Sequence, residues 1–339
     1  MAEEVNIGML KAGADDAVRS TVEAAREAVL FVAWEQWHSL GSLATPVGKH
    51  RAASIVDPEA LVLCSLMIRD EERRLDDFLG WWAEKGASLL SVQRMLNLVE
   101  RFPDQAGVRL GAFAGLAADA GHKRWRRHAV TTGETAALLK PRGGKGRDGL
   151  DLVEAPTLML RLRAGFGVGA KADLLTFLIG NGGVFASVRE AAQAVSYTDA
   201  AVRNAAQEMA LARFIEETGS RPAEYAADVR LWTELLWFNK LSEHIPGTRD
   251  HTIGPAWRYW EHVLAFLTGV LEWARIGVQE DWSPYILSSR ARDLYERHKK
   301  AFKANRIAVP NPGDHCGTAY LSAFETTVAM LRDWIGSHV

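Results

Sequence analysis

The sequence predicts a mainly α fold with one small β element, and three observations carry that reading. Apolar residues recur at three- and four-residue spacing along most of the 339 residues, the period that buries one face of a helix. Ser, Thr or Asp stands as an N-cap before several of these stretches. A strand, turn, strand pattern is read at Arg213 to Ala227. With 48% hydrophobic and 24% charged residues, the composition is that of a globular protein of two or three domains. The expected divisions are an N-terminal helical domain (1–120), a basic Gly-rich linker (121–155), a domain that holds the strand–turn–strand pattern (156–240) and a C-terminal helical domain (241–339).

From Ala14 to Leu40 the residues Val18, Val22, Ala25, Val29 and Val32 form one apolar stripe, so the spacing predicts a long amphipathic helix. The stripe is either core, the commoner use, or a dimer seam. Gly41 to Ser54 reads as a loop. Asp57-Pro58-Glu59 opens a helix, with Asp as N-cap and Pro where a missing N–H costs nothing. A second helix is expected over Glu71 to Lys85 through Leu75, Phe78, Leu79 and Trp82, stopped by Gly86. Ser91 caps a third, Val92 to Phe102, burying Val92, Met95, Leu96 and Val99 and turning Gln93, Arg94 and Asn97 outward. Three helices in this order fit either a plain bundle or a second, degenerate winged helix.

Gly121 to Gly149 is the basic zone: Lys123, Arg124, Arg126, Arg127, Lys140, Arg142, Lys145 and Arg147 face only Glu134 and Asp148. Such a segment is either a solvated linker or a phosphate-gripping loop in which Arg126 and Arg127 are the contacts. Trp125 among them either stacks on a base or anchors the segment to the core. Gly165, Gly167 and Gly169 are not followed by Gly-Lys-Ser/Thr and lie in no strand–helix–strand unit, so they read as a flexible approach rather than a nucleotide loop.

The segment with functional content runs from Ser187 to Ala227. Ser187 and Glu190 form a capping box, and Ala191, Ala192 and Val195 give the helix its buried face. After the turn Val195-Ser196-Tyr197, Thr198 caps a second helix whose inward residues are Val202, Ala205, Ala206 and Met209. Alanines at the crossing let two helices approach closely across a short turn. Arg213 to Glu217 is a short strand, Thr218 to Pro222 a hairpin tip and Ala223 to Ala227 the return strand. Ser196 and Arg213 occupy positions where a glycine with positive φ is usual.

The motif REAAQAV, a polar turn and AAVRNAAQEMALARFI resembles winged helix-turn-helix regulators of the bacterial ArsR and MarR type. With the flanking helices Lys171 to Ile179 and Asp228 to Lys240, the resemblance covers about a quarter of the chain. It implies a sequence-specific transcriptional regulator, most simply a repressor, that binds double-stranded DNA as a homodimer. Thr198, Arg203, Asn204 and Gln207 would then face the bases, with Arg189 and the wing residue Arg221 beside them. The glycines before Lys171 would let Arg161, Arg163 and Lys171 lie near DNA. Between Pro156 and Arg230 eight basic residues meet eight acidic ones, so a DNA footprint would rest on uneven placement. The alternative is a protein-interaction or antitoxin-like subunit in which the same module is a contact surface.

Beyond it, Leu231 to Phe238 continues a helix, and Pro255 to Ile276 is expected as a long one carrying Trp257, Trp260, Val263, Leu264, Leu267 and Leu271. A basic helix lies between Pro284 and Asn305, and Thr318 to Ile335 turns Leu321, Phe324, Val328 and Leu331 inward. These stripes are read as core in preference to a ligand pocket.

No His-Glu-x-x-His, Gly-x-Ser-x-Gly or Walker motif occurs. A metal site would need His244, His251, His262 and His315 to converge, and His298 and His315 beside Cys316 lack ligand spacing. No enzyme, cofactor or metal is expected. Cys64 and Cys316 are too few for a disulfide framework. The acidic start MAEEVNIGMLKAGADD is unlike a signal peptide, and Ala28 to Trp34 is too short to span a bilayer. A reducing cytoplasm is the expected compartment, and the net charge of −2 selects no partner class.

Overall fold

The structure, a computed structural model, describes residues 2–41, 53–130, 139, 149–150, 152–236 and 254–339. It is mainly helical with one small three-stranded antiparallel sheet. The helix α1 (Ala2–Ser39) packs along α11 (Trp260–Gln279) and α14 (Tyr320–His338). Its stripe is therefore core: Ala25, Val29 and Val32 are fully buried. Next come α2 (Pro58–Ile68), α3 (Leu75–Lys85), α4 (Val92–Val99) and α5 (Gln105–Asp119). Asp57 caps α2, its Oδ1 accepting from Ala60 N at 3.0 Å, and Ser91 Oγ caps α4 by accepting from Arg94 N at 3.2 Å. Because Glu71 to Arg74 form turns, α3 starts later than its apolar pattern suggests.

Then follow α6 (Leu158–Phe166), α7 (Ala170–Gly180), α8 (Val188–Val195), α9 (Asp199–Leu211) and α10 (Val229–Leu235). The chain ends with α11, α12 (Pro284–His298), α13 (Lys300–Ala304) and α14. The sheet has the order β1-β3-β2, with β1 (Ala186–Ser187), β2 (Glu216–Glu217) and β3 (Glu224–Ala226). Ala186 pairs with Tyr225, and Glu216 with Ala226. The strand β1, which the sequence does not announce, ties the start of α8 to the hairpin.

Buried side chains form two clusters. The larger draws on α1 to α5 and on α11 to α14, so these helices share one core. The smaller contains residues of α6 to α9, of β1 and of β3, with Ile55, Ile215, Trp232 and Trp257. The long helix expected from Pro255 begins only at Trp260, because residues before it are bound in an extended crossing. Ala256 exchanges bonds with the Ala53 to Ile55 strip, and Trp257 N donates to Gly180 O at 2.8 Å. Gly180 makes this approach possible, since a Cβ there would stand 2.5 Å from Ile55 Cδ1 and 2.9 Å from Trp257 N.

One expectation is corrected in α4. Of Gln93, Arg94 and Asn97, only Gln93 is exposed; Arg94 is fully buried and Asn97 half-buried. Among the described residues α4 is followed by α5 and not by a hairpin, so a second helix-turn-strand unit is not formed there.

Candidate nucleic-acid interface

The pair α8 and α9 forms from local signals that all hold. Glu190 N donates to Ser187 Oγ at 3.2 Å while Ser187 N donates back to Glu190 Oε2 at 2.8 Å. Thr198 Oγ1 accepts from Ala201 N at 3.2 Å. Ala191, Ala192, Val195, Val202, Ala205, Ala206 and Met209 are all buried. Ser196 (φ 58°) turns the chain between the helices and Arg213 (φ 60°) turns it after α9. Both are left-handed conformations that glycine adopts without cost and other residues adopt with some strain.

What holds this turn lies a hundred residues away. Arg94 Nε donates to Val195 O at 3.0 Å, Asn97 Nδ2 to Ser196 O at 2.9 Å, and Tyr197 OH to Ser91 Oγ at 2.8 Å. Arg94 is itself fixed by both oxygens of Asp57, at 2.6 and 2.7 Å, and by Glu59 Oε2 at 2.7 Å. Glu59 also accepts from Arg163 Nη1 at 2.6 Å and from Ser91 N at 2.7 Å. Arg163 completes a two-pronged pair with Asp173, both bonds 2.7 Å. All five charged side chains are essentially inaccessible to water. Charges so placed persist only when fully bonded, because desolvating each costs several kcal/mol. Burial pulls the Asp57 carboxyl upward, but the Arg94 charge, its hydrogen bonds and the Ala60 N–H outweigh it and hold the pKa below 3.8.

This network overturns the expectation that Arg163 lies near DNA: its guanidinium is committed to Asp173 and Glu59 in the interior. Arg161 is half-buried, which lowers its pKa. Lys171 is exposed and paired with Glu208 of α9.

The surface residues fare differently. Thr198, Arg203, Asn204 and Gln207 are exposed, and at 3.6 residues per turn Arg203, Asn204 and Gln207 share one face of α9. Thr198 uses its hydroxyl as the cap. Arg189 is exposed at the start of α8, and Arg221 at the tip between β2 and β3. In the hairpin Tyr225 OH donates to Glu217 Oε1 at 3.3 Å; burial, then the Glu217 charge, raise the Tyr225 pKa, and the Arg203 charge opposes them. Glu190, Asp199, Glu208, Glu216 and Glu217 are exposed as well. The unit thus presents at least as many carboxylates as guanidinium groups.

Arg126 and Arg127 are exposed, on a 3₁₀ turn over Lys123–His128 that packs on α5 and residues 84–88. They belong to a different surface element from α9. Trp125 is buried with Nε1 donating to Ala87 O at 3.1 Å, so it anchors the turn to the core. Lys140, Arg142, Lys145 and Arg147 lie outside the described residues, as do His244 and His251. Among the described residues no cluster of His, Cys, Asp and Glu could hold a metal, and no helix is long and apolar enough to cross a membrane.

The buried network was missed by sequence reasoning, although Arg163 stands among Leu158, Met159, Leu160 and Leu162, all buried. A charge at a core position of an apolar helix was the available signal. Comparison with protein-family models, with curated proteins and with solved structures finds no match for this chain.

Proposed function

We propose that the chain is a DNA-binding transcriptional regulator in which α8, α9 and the β2–β3 hairpin work as a winged helix-turn-helix. The observation that carries this reading is the exposed trio Arg203, Asn204 and Gln207 on one face of a helix whose preceding turn is pinned from below by Arg94 and Asn97. Base reading needs side chains held in register. Arg can bond guanine O6 and N7 together, and Asn or Gln can bond adenine N6 and N7. Arg189 and Arg221 flank that face and suit phosphates, which position a duplex without selecting its sequence. A homodimer would double a short half-site at fixed spacing.

A second reading keeps the same unit as a protein-contact module. Its support is the abundance of exposed carboxylates on α9 and β2, together with the exposed apolar side chains Leu211 and Phe214 after the reading face. Electrophoretic mobility shift with DNA from the protein's own upstream region separates the two. A salt-sensitive shift supports the regulator; none at low salt supports the protein-contact module.

A further inference from the structure

A cavity of about 410 Å³ opens between the turn that joins α4 to α5, the helix α11 and the helix α12. Small-molecule sites span about 300–1,000 Å³, so this one has room for a compact ligand. Gly269 lets α12 lie close to α11, since a Cβ there would stand 2.8 Å from Leu294 Cδ1 and 3.8 Å from His298 Nε2. Phe102, Trp273, Ile276 and Leu294 supply apolar wall. The Trp273 indole N–H donates to Leu287 O at 3.2 Å and that of Trp282 to Glu280 Oε2 at 2.7 Å. Neither indole has a donor left for a ligand.

Two other lining groups do. Arg101 Nη1 is buried and makes no hydrogen bond; Glu261 Oε1, 3.5 Å away, is not bonded to it. His298 is 5% exposed and packs edge-on against Phe266, and among the described residues neither ring nitrogen has a hydrogen-bond partner. Burial, then Arg297 and Arg101, push its pKa down to about 4, so at neutral pH the ring is uncharged and one nitrogen donates. Buried polar atoms are nearly always bonded, and donors left open at a cavity wall mark where an acceptor docks. Arg297 adds an exposed cation that pairs with no carboxylate among the described residues.

The acids of the lining limit the charge of that acceptor. Glu272 is engaged by Arg275 through two bonds of 2.7 Å, and Asp293 by Arg290 at 3.6 Å. Asp104 and Glu280 are exposed and pair with no cation among the described residues. Carboxylates at the rim oppose a doubly charged ligand more than a singly charged one.

We propose that this cavity binds a small organic monocarboxylate, its head group taking the open N–H groups of Arg101 and His298 and its apolar body lying against Trp273, Ile276 and Leu294. Arginine meets a carboxylate through charge-assisted bonds that are shorter and stronger than neutral ones. The inference stands apart from the DNA-binding reading, because the lining includes no residue of α8, α9 or the β2–β3 hairpin.

The test offers the full chain phenylacetate, indole-3-acetate and hexanoate, each beside its amide, together with phenyl phosphate. Saturation-transfer NMR near neutral pH detects binding and calorimetry ranks it. At least one carboxylate should bind, its amide about tenfold or more weakly, and phenyl phosphate more weakly than the carboxylate. Arg101→Gln should reduce the carboxylate to the level of its amide and leave the amide unchanged, with Arg101→Lys recovering part of the loss. Lys303→Gln, which removes an exposed charge outside the cavity, should bind as wild type. Far-UV circular dichroism checks each fold, and should Arg101→Gln not fold, the exposed Arg297→Gln must weaken the carboxylate in the same direction. No saturation transfer from any of the three carboxylates at millimolar concentration overturns the proposal. So does equal binding of acid and amide, tighter binding of phenyl phosphate, or an undiminished carboxylate affinity in the folded arginine variant.

Discussion

Arg94 Nε donates to the carbonyl of Val195 at 3.0 Å across 101 positions of sequence, so the last residue of α8, just before the Ser196 turn, is held by a side chain of α4. The bond is one end of a buried charge chain running from Val195 through Arg94 and Glu59 to Arg163 and Asp173. It joins the two clusters through polar groups that have nowhere else to bond.

Removing Arg94 should therefore destabilise the fold more than a surface arginine could. Arg94→Met leaves Asp57 without its main partner and Glu59 short of one, and breaking a buried pair costs about 3–5 kcal/mol. Arg94→Lys should recover little, because one ammonium cannot replace the fork that meets both Asp57 oxygens and Val195 O. Urea denaturation of the three proteins measures this. A loss under about 1 kcal/mol for Arg94→Met would place it with ordinary surface changes and contradict the account of the turn.

Glu261 supplies a pH dependence of known sign. Burial first, then the Asp57 charge, raise its pKa to about 7, and neither carboxyl oxygen has a hydrogen-bond partner among the described residues. The folded state therefore holds the proton more tightly than the unfolded state, whose value is near 4.5. This group's contribution falls as pH rises from about 4.5 to 7 and levels off above. Glu261→Gln should stabilise the protein at pH 8, on the order of 3 kcal/mol for a shift of this size, and much less at pH 5. Thermal melts at the two pH values give the difference. Equal effects at both would show that Glu261 titrates normally.

Local signals were legible in the sequence and long-range ones were not. Each cap that was read, Asp57, Ser91, Ser187 and Thr198, depends on residues within three positions and is formed. The positive φ required at Ser196 and Arg213 was read the same way. Arg94 was placed outward because a charge on the polar phase of a helix is usually solvated, and its partner Asp57 lies 37 positions away. Asp57 shows the limit most clearly, since Oδ1 caps α2 and also accepts from Arg94 Nη1. For the candidate interface, α9 periodicity sufficed to expose Arg203, Asn204 and Gln207, whereas Arg163 was lost to a partner that spacing could not reveal.

Assembly gives a separate expectation. A two-fold DNA site calls for a homodimer, and the exposed Leu231 and Leu235, four positions apart on α10, offer apolar surface. Light scattering at micromolar concentration should give twice the chain mass, with or without duplex. A monomer under both conditions counts against the dimeric regulator.

The Lys123–His128 turn is expected to matter only through charge. Arg126→Ala with Arg127→Ala should weaken binding to all duplexes alike and flatten the salt slope by about one unit per lost contact, with the melting temperature unchanged because both side chains are exposed. An unchanged slope returns the segment to the role of a linker anchored by Trp125.

The most direct measurement is the discrimination of Arg203→Ala between a duplex selected from a randomised pool and its scrambled counterpart. If α9 reads bases, the variant should lose about 1–3 kcal/mol on the selected site and almost nothing on the scrambled one, while Arg221→Ala should weaken both. If Arg203→Ala discriminates as well as wild type, α9 is not the reader, and the protein-contact reading takes its place.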